Sequence, residues 1–400
     1  MSHSETRLEK HFTLGKLLFL SSFASVSAAF YTPALPQIAE YLNLTVDQAQ
    51  VSMSIYLLGY ALGHILWGPL ANAFGRKLTT IFGLIIAIIG ISVSLLICFF
   101  PNSWILNSGR FLTAIGASVG LKIAFTYISD IFGEEEVATK SSYLMLSFAI
   151  APSASVSLSG FLIKHLGWLS SLYMNAIYGF LLLLLTFTLK ETLTKENSIS
   201  LNKNTLLNGY LSKFKNKNLI IASLILGLGT TIVYCFATFA PFVAIDEIGL
   251  KSELYGLYNL IPSIGMIFGF FIVQAIKPKN RLLHITTGVI VFTACAFIMV
   301  LYFFYGIINV KTLFLPMVAV FAALSVVFAN VSAIALGSVR NKSYGSSIMN
   351  FVNMSTCAFL ILLSETLRCR ASSIIAIYYA CISFLMLILV PFLSLQKNKL

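Results

Sequence analysis

The stretch GPLANAFGRK, residues 68–77, separates two long apolar runs and decides how the rest of the chain is interpreted. Two glycines, a proline and a terminal basic pair are typical of a tight turn. The segments on both sides are apolar and long enough for a membrane-crossing helix, which needs about 20 mostly apolar residues. Arg76 and Lys77 would therefore hold this turn at a membrane surface. Asn72 and Ala73 are neutral residues in the middle of the loop.

The composition is that of an integral membrane protein. Apolar residues make up 58% of the 400 residues and charged residues 10%, with a mean hydropathy of +0.90. A soluble domain carries roughly 25% charged residues. The net charge of +12 comes from basic residues scattered between apolar segments, which fits a positive-inside membrane protein rather than a nucleic-acid partner. The six cysteines form no Cys-x-x-Cys pair, so neither a metal site nor any other cofactor is predicted.

The apolar runs predict twelve membrane-spanning helices. An alternative for the first run is a cleavable signal peptide, because KLLFLSSFASVSAAF has a basic flank and small residues. The run continues through YTPALPQIA, which favours a retained first helix. The predicted spans are 14–38, 48–71, 78–100, 104–131, 139–163, 168–189, 219–245, 253–275, 283–306, 312–338, 345–367 and 372–394.

Lysine and arginine are concentrated in one set of the loops between these spans. That set includes the loop at Arg76 and Lys77, the long polar segment 190–218 and both chain ends. The positive-inside rule then predicts a multi-pass protein of the inner (plasma) membrane with both termini in the cytoplasm. The opposite set of loops has only Lys164, Lys251, Lys311, Arg368 and Arg370.

The polar segment 190–218 also divides the spans into six and six. We expect a cytoplasmic tail (1–13), a six-helix bundle (14–189), a cytoplasmic linker (190–218), a second six-helix bundle (219–394) and a second tail (395–400). GYALG in the second span and GMIFG in the eighth repeat a spacing that lets helices approach closely. Duplicated halves are typical of transporters. The residues expected at helix contacts are Gly59, Gly63, Gly116, Gly120, Pro152, Gly160, Gly265 and Gly269.

Several stretches of this chain resemble motifs of the major facilitator superfamily. They are YTPALPQIAEYL, LLGYALGHILWGPLANAFGRK, GRFLTAIGASVG, KETL, FAPFVAIDEIGLKSELYGLYNLIPSIGMIFG and FANVSAIAL. More narrowly, they resemble the bicyclomycin-resistance-type branch of twelve-helix drug/proton antiporters. The resemblance implies an all-α membrane protein with two pseudo-symmetric six-helix bundles, which transports a small molecule through the lipid bilayer. We expect a monomer.

The family's loop after the second span reads about Gly-Pro-x-x-Asp-Arg-x-Gly-Arg-Arg/Lys and acts as a cytoplasmic latch. Asn72 replaces the acid and Ala73 the following arginine, so the latch is expected to be weaker by about 1 kcal/mol. Asp130, at the cytoplasmic end of the fourth span, is expected to pair with Arg76 and to carry what remains of it. The alternative is that both are solvated loop charges. The residues that match the family's loop are Gly68, Pro69, Gly75, Arg76 and Lys77.

The charges predicted to lie deep in the membrane are basic. Related antiporters commonly carry an acid just before the Tyr-x-Pro of the first span, where this chain has Ala29. Proton coupling through that position therefore cannot be transferred, and a cationic drug would find no deep counter-charge. Arg110, which matches the family's fourth-span arginine, lies roughly 10 Å inside the outer face, and Lys122 about 18 Å further in.

We expect Arg110 and Lys122 to line a cavity whose positive charge favours an anionic substrate, such as an organic acid or a carboxylate-type siderophore or metabolite. His64 in the second span is the candidate proton carrier, because an unperturbed histidine has a pKa near neutrality. A packing role for His64 is the alternative. Further candidate substrate contacts are Tyr31, Tyr234, Asn259 and Asn330.

The sequence thus predicts a secondary active transporter rather than an enzyme. One version is proton-driven multidrug efflux, as the resemblance implies, and the other is transport of an anion. An enzyme would need a motif such as HExxH, a paired acid or a nucleophile–base pair, and the sequence offers none. A non-transporting membrane receptor is a third class. The direction of transport and the coupling ion stay open.

Overall fold

The computed structural model describes residues 3–132, 134–193, 211–275, 280–339, 342–367 and 369–393. Within these ranges all regular secondary structure is helical. Twelve long helices follow one another along the chain. They are α1 His3–Tyr31, α2 Val46–Phe74, α3 Arg76–Leu95, α4 Ser103–Ile131, α5 Glu134–Leu166, α6 Ser170–Phe187, α7 Lys217–Phe242, α8 Ser252–Ala275, α9 Arg281–Phe304, α10 Val310–Gly337, α11 Lys342–Leu363 and α12 Ala371–Leu389.

Eleven segments among the described residues are long and apolar enough to cross a membrane. The remaining long helix, α5, has 33 residues and is thus also long enough to cross a membrane. The predicted all-α fold of twelve helices is confirmed. Helix α1 begins at His3 and so extends into the predicted tail 1–13. The central part of the predicted linker 190–218 and the tail 395–400 lie outside the described residues.

The turn between α2 and α3 is a single residue, Gly75. Its φ of 99° lies in the region that L-residues with a side chain rarely adopt, so glycine is required for so sharp a reversal. At the other end of α2, Thr45 and Gln48 form a capping box, in which each side chain binds the other's backbone N–H. Both ends of α2 are therefore set by local sequence.

The two six-helix halves repeat the same helix contacts. Helix α1 packs on α5, α2 on α4 and α3 on α6, and six positions later α7 packs on α11, α8 on α10 and α9 on α12. Contacts between the halves follow the same symmetry, because α2 packs along α11 and α5 packs along α8. The chain is thus a pseudo-two-fold pair of bundles that meet along four helices.

Glycines allow the closest of these helix contacts. Gly59 and Gly63 of α2 face α4, and Gly265 and Gly269 of α8 face α10, which is the equivalent contact of the second half. A Cβ on Gly59 would lie 2.6 Å from the Phe111 carbonyl oxygen, so a side chain there would force the helices apart.

The other small residues expected at contacts lie on further helix pairs. Gly116 faces α3 and Gly120 faces the Leu20 carbonyl of α1. Gly160 of α5 faces α8 and thus lies between the two halves. Pro152 lies within α5.

Candidate functional site

Arg110 is buried at the centre of an aromatic cluster. The side chain is 2% exposed, and its guanidinium carbon lies 3.8 Å from the centre of the Tyr31 ring and 4.6 Å from that of Tyr56. Its Nε donates to the Ser52 carbonyl oxygen at 3.4 Å. The Ser52 hydroxyl donates in turn to the Tyr31 hydroxyl at 3.2 Å. Helices α1, α2 and α4 therefore fix the guanidinium through two cation–π contacts and a backbone carbonyl.

None of the described carboxylates contacts Arg110. Its electrostatic partners are Tyr31, Tyr56 and Tyr234. Tyr234 belongs to α7, so Arg110 of the first half interacts electrostatically with the second half. A guanidinium has five N–H donors, and a buried one is costly unless its charge is compensated. The arrangement can therefore bind a negatively charged group.

Lys122 links α4 to α11 on the side of the bundle that carries the Gly75 turn, which we call the basic side. Its Nζ donates to the Ser346 hydroxyl at 2.8 Å. Gly68 of α2 packs against the same place, because a Cβ there would lie 3.4 Å from both Lys122 Cε and Ser347 Oγ. Two basic residues of α4 thus interact with the second half, Lys122 through a hydrogen bond to Ser346 and Arg110 electrostatically with Tyr234.

A stripe of polar side chains on α2 runs between these two basic residues. Ser52, Tyr56, Tyr60 and His64 are spaced four residues apart, so that each is a neighbour of the next and the stripe winds gradually around the helix. The ring centres of Tyr60 and His64 lie 4.6 Å apart, and both side chains are buried. His64 interacts electrostatically with Lys122. The stripe thus connects the surroundings of Arg110 with those of Lys122.

The structure brings only some of the sequence-predicted contacts to Arg110. Tyr31 lies beside it, and Tyr234 interacts with it electrostatically. Asn330 Nδ2 donates to the Val326 carbonyl of its own helix at 2.9 Å, and Asn259 lies at the break within α8. Neither is linked to Arg110 among the described contacts, and their role in substrate binding stays a prediction. Sequence reasoning missed the aromatic part of the stripe, although the four-residue repeat in SMSIYLLGYALGH signals it.

The turn at Gly75 is fixed by a network of charged side chains. Arg76 Nε donates to Asp130 Oδ2 at 2.9 Å, which is the pairing expected from the sequence. Arg76 Nη1 donates to the Ala71 carbonyl at the end of α2 at 3.1 Å. The Thr192 hydroxyl donates to the same Asp130 oxygen at 2.6 Å. The pair thus exists, whereas its role as a latch stays a prediction.

A second acid, which the sequence analysis did not include, completes this network. Glu191, just after α6, accepts from the backbone N–H groups of Arg76 and Lys77 at 2.9 and 3.0 Å. A carboxylate at these N–H groups stabilises the N-terminus of α3. The Asn72 side chain, at the family's acid position, has no hydrogen bond with any described residue. We call Arg76, Lys77, Asp130, Glu191 and Thr192 the loop network.

The side opposite the basic side is held differently, by the contact between α5 and α8. The Ser157 hydroxyl donates to the Gly256 carbonyl at 2.7 Å. A Cβ on Gly160 would lie 2.5 Å from the Ser252 carbonyl oxygen. Near the end of α5, Lys164 forms an ion pair with Glu253 of α8. We call Ser157, Gly160, Lys164, Ser252, Glu253 and Gly256 the α5–α8 contact.

Comparison with known proteins identifies relatives among transporters. The family model described as Major Facilitator Superfamily matches residues 17–361. An uncharacterised transporter of Rickettsia bellii is 31% identical over 261 residues, which are 64% of this chain and 62% of the relative. A bicyclomycin resistance protein homolog of Haemophilus influenzae is 25% identical over 65% of this chain and 64% of its own length. The multidrug resistance protein MdtL of Shewanella is 26% identical over 68% and 67%. The matches to the Rickettsia and Haemophilus relatives thus span less than two thirds of the length of those proteins.

Solved structures show the same fold. A partially occluded, inward-open conformation of the xylose transporter XylE from E. coli superposes with a TM-score of 0.74, covering 97% of this chain and 99% of that one at 15% identity. The transporter FucP in its outward conformation gives a TM-score of 0.65 over 96% and 99%, also at 15% identity.

Proposed function

Because this chain belongs to the major facilitator superfamily, we propose that it exports small organic solutes by alternating access between its two six-helix halves. It is a multi-pass membrane transporter of small molecules. The relatives named for bicyclomycin and multidrug resistance support export. In this proposal the protein lies in the inner membrane and its basic side faces the cytoplasm, as the loop charges indicate.

One observation carries the choice of site. Arg110 contacts Tyr31 of α1 and Tyr56 of α2 and interacts electrostatically with Tyr234 of α7, so its charge is felt by both halves. A transporter that exposes one site first to one side and then to the other needs that site between its halves. When the halves rock, contacts to α7 change while the contacts of Arg110 to its own half persist. The cargo is then released on the other side.

The charge of the cargo is a second part of the proposal. Arg110 is buried without a carboxylate partner among the described residues, so an anionic group on the cargo would stabilise it. A cationic solute would add a like charge to a site of low dielectric constant. We therefore propose that the cargo is an organic anion, with a drug-like neutral solute as the second candidate because of the named relatives.

Transport into inverted membrane vesicles tests both parts. Three aromatic solutes of matched size would be offered with and without a pH gradient: 2-naphthoate, 2-naphthamide and 2-naphthylmethylammonium. We expect protein-dependent accumulation of the naphthoate, and weaker or no accumulation of the ammonium. Equal accumulation of all three would contradict selection by charge. Accumulation only in right-side-out vesicles would contradict export.

The variant Arg110→Gln tests the role of the charge itself. We expect the initial rate for 2-naphthoate to fall at least about tenfold, because a hydrogen bond to a charged group contributes roughly 1.5–3 kcal/mol. Arg110→Lys keeps the charge but lacks the planar, fork-shaped donor group. Its rate for 2-naphthoate should therefore lie between those of the parent protein and Arg110→Gln. Accumulation of 2-naphthamide serves as the control for folding and insertion. An unchanged naphthoate rate in Arg110→Gln would discard the electropositive site.

A further inference from the structure

The α2 stripe contains two neighbouring residues whose side-chain polar atoms have no hydrogen-bond partner among the described residues. Tyr60 and His64 are one helical turn apart and are 0% and 1% exposed. Neither the Tyr60 hydroxyl nor either ring nitrogen of His64 hydrogen-bonds to a described residue. More than about 90% of buried polar groups in proteins are hydrogen-bonded. A buried unsatisfied donor or acceptor costs about 1–3 kcal/mol.

The same face of α2 shows that such pairing is available nearby. The Tyr56 hydroxyl donates to the Ala24 carbonyl at 2.7 Å, and the Tyr31 hydroxyl accepts from Ser52. The two tyrosines whose rings contact Arg110 are therefore hydrogen-bonded within the protein. Among the four stripe residues the unpaired groups are those of Tyr60 and His64, while Gln50 and Ser54 elsewhere on α2 are also unpaired. Tyr60 and His64 are the two whose rings are in contact, and together they offer at least one donor and one acceptor in either imidazole tautomer.

These two residues also lie between the halves. Tyr60 interacts electrostatically with Tyr234 of α7, which also interacts with Arg110. His64 interacts with Lys122, which is bound to Ser346 of α11. At 1.5 Å per residue, Tyr60 lies about 6 Å and His64 about 12 Å along α2 from Tyr56, the stripe residue at Arg110. The pair is therefore within reach of a solute that also touches Arg110.

We propose that Tyr60 and His64 form a second binding subsite, which hydrogen-bonds an uncharged polar group of the cargo while Arg110 binds its anionic group. The part concerning Arg110 rests on the proposed function. The cargo class is then an elongated organic anion with a hydroxyl, phenol or amide group about 6–12 Å from its negative charge. The group at the subsite is uncharged because its ligands are a neutral donor and acceptor, and a cation would be repelled by Lys122.

Three naphthalene probes separate the two subsites. 2-Naphthol carries the polar group alone, 2-naphthoate the anion alone, and 6-hydroxy-2-naphthoate both at opposite ends. Binding to the purified full-length protein would be measured by fluorescence titration. The variants are Tyr60→Phe and His64→Phe, which keep an aromatic ring and remove the unpaired atoms. Tyr173→Phe on the exposed face of α6 is the matched control.

We expect Tyr60→Phe and His64→Phe each to weaken binding of 2-naphthol and 6-hydroxy-2-naphthoate about three- to tenfold, with 2-naphthoate unchanged. Arg110→Gln should weaken both carboxylates and leave 2-naphthol unchanged. If Arg110→Gln has no effect while the α2 variants do, the anionic part of the proposed function fails and the subsite stands. If 2-naphthol does not bind, or binds the α2 variants as tightly as the parent, the subsite is overturned. Loss of only the pH-gradient dependence of transport in His64→Phe, with all binding unchanged, would also overturn it and assign His64 to proton coupling.

Discussion

The loop network and the α5–α8 contact lie on opposite sides of the membrane-spanning bundle and are built from different chemistry. The loop network uses charged side chains and a helix cap, and all its residues belong to the first half or the segment directly after it. The α5–α8 contact uses glycines, a serine hydroxyl and one ion pair, and it joins the two halves. In the proposed transport cycle, charges would fix helices that move together, whereas close backbone packing would hold helices that separate.

The physical reason is the difference in how the two kinds of contact break. In the loop network, Glu191 and Asp130 each accept at least two hydrogen bonds, so opening it would break an ion pair and also leave a second carboxylate without its backbone donors. In the α5–α8 contact, the Lys164 side chain is 50% exposed, so its ion pair with Glu253 is largely solvated already. Separation there costs mainly the loss of van der Waals contact between small residues. A gate that opens in every cycle is better built in this second way.

The largest effect is expected from filling the α5–α8 contact. In Gly160→Leu the new side chain would meet the Ser252 carbonyl, so α5 and α8 could not approach. We expect the transport rate to fall about 10- to 100-fold, because overpacking typically costs roughly 1–3 kcal/mol. A cysteine introduced at Ser157 should at the same time become reactive toward an impermeant thiol reagent added from the side opposite the basic side. Gly337→Leu is the control, since no neighbour lies within 4 Å of a Cβ there. Full transport activity of Gly160→Leu would show that transport does not need the close packing of α5 against α8.

A smaller effect, and one on stability, is expected from removing the cap of α3. Glu191→Ala removes the acceptor of two backbone N–H groups and the negative charge at a helix N-terminus. We expect a loss of about 1–2 kcal/mol in the free energy of unfolding. Thermal unfolding of the purified protein would measure it as a lower Tm. Asn72→Ala is the comparison, and it should leave the Tm nearly unchanged because the amide has no described hydrogen bond. A larger shift in Asn72→Ala would show that the loop still depends on the family's acid position.

The pair Arg76–Asp130 should contribute somewhat less than the cap. In a double-mutant cycle of Arg76→Ala and Asp130→Ala we expect a coupling energy of about 0.5–1.5 kcal/mol, since the pair is partly buried and charge-assisted. Both single variants should also slow transport if the network acts as a latch. A measured coupling with unchanged transport would keep the ion pair and discard the latch.

The sequence predicted the helices better than the side-chain contacts between them. Each span needs about 20 apolar residues, so the number and order of helices follow from composition alone. The depths of Arg110 and Lys122 follow from their positions along α4. Their partners could not be predicted, because the direction in which α4 and α11 face depends on the packing of helices far apart in sequence. Glu191 was missed for the same reason, because the two backbone N–H groups that donate to it belong to a turn more than a hundred residues earlier.

The smallest effect is expected from the ion pair of the α5–α8 contact, and it provides the sharpest test of the contrast between the two regions. Lys164→Gln and Glu253→Gln should each change the Tm little, and their double-mutant coupling energy should not exceed about 0.5 kcal/mol, because an exposed pair is screened by water and salt. Raising the salt concentration from 0.05 to 0.5 M, both chosen as roughly spanning the screening range, should remove that coupling. The loop network should keep most of its coupling under the same change. A coupling at Lys164 and Glu253 as large as that of Arg76 and Asp130 would mean that charge, and not close packing, holds the halves together on this side.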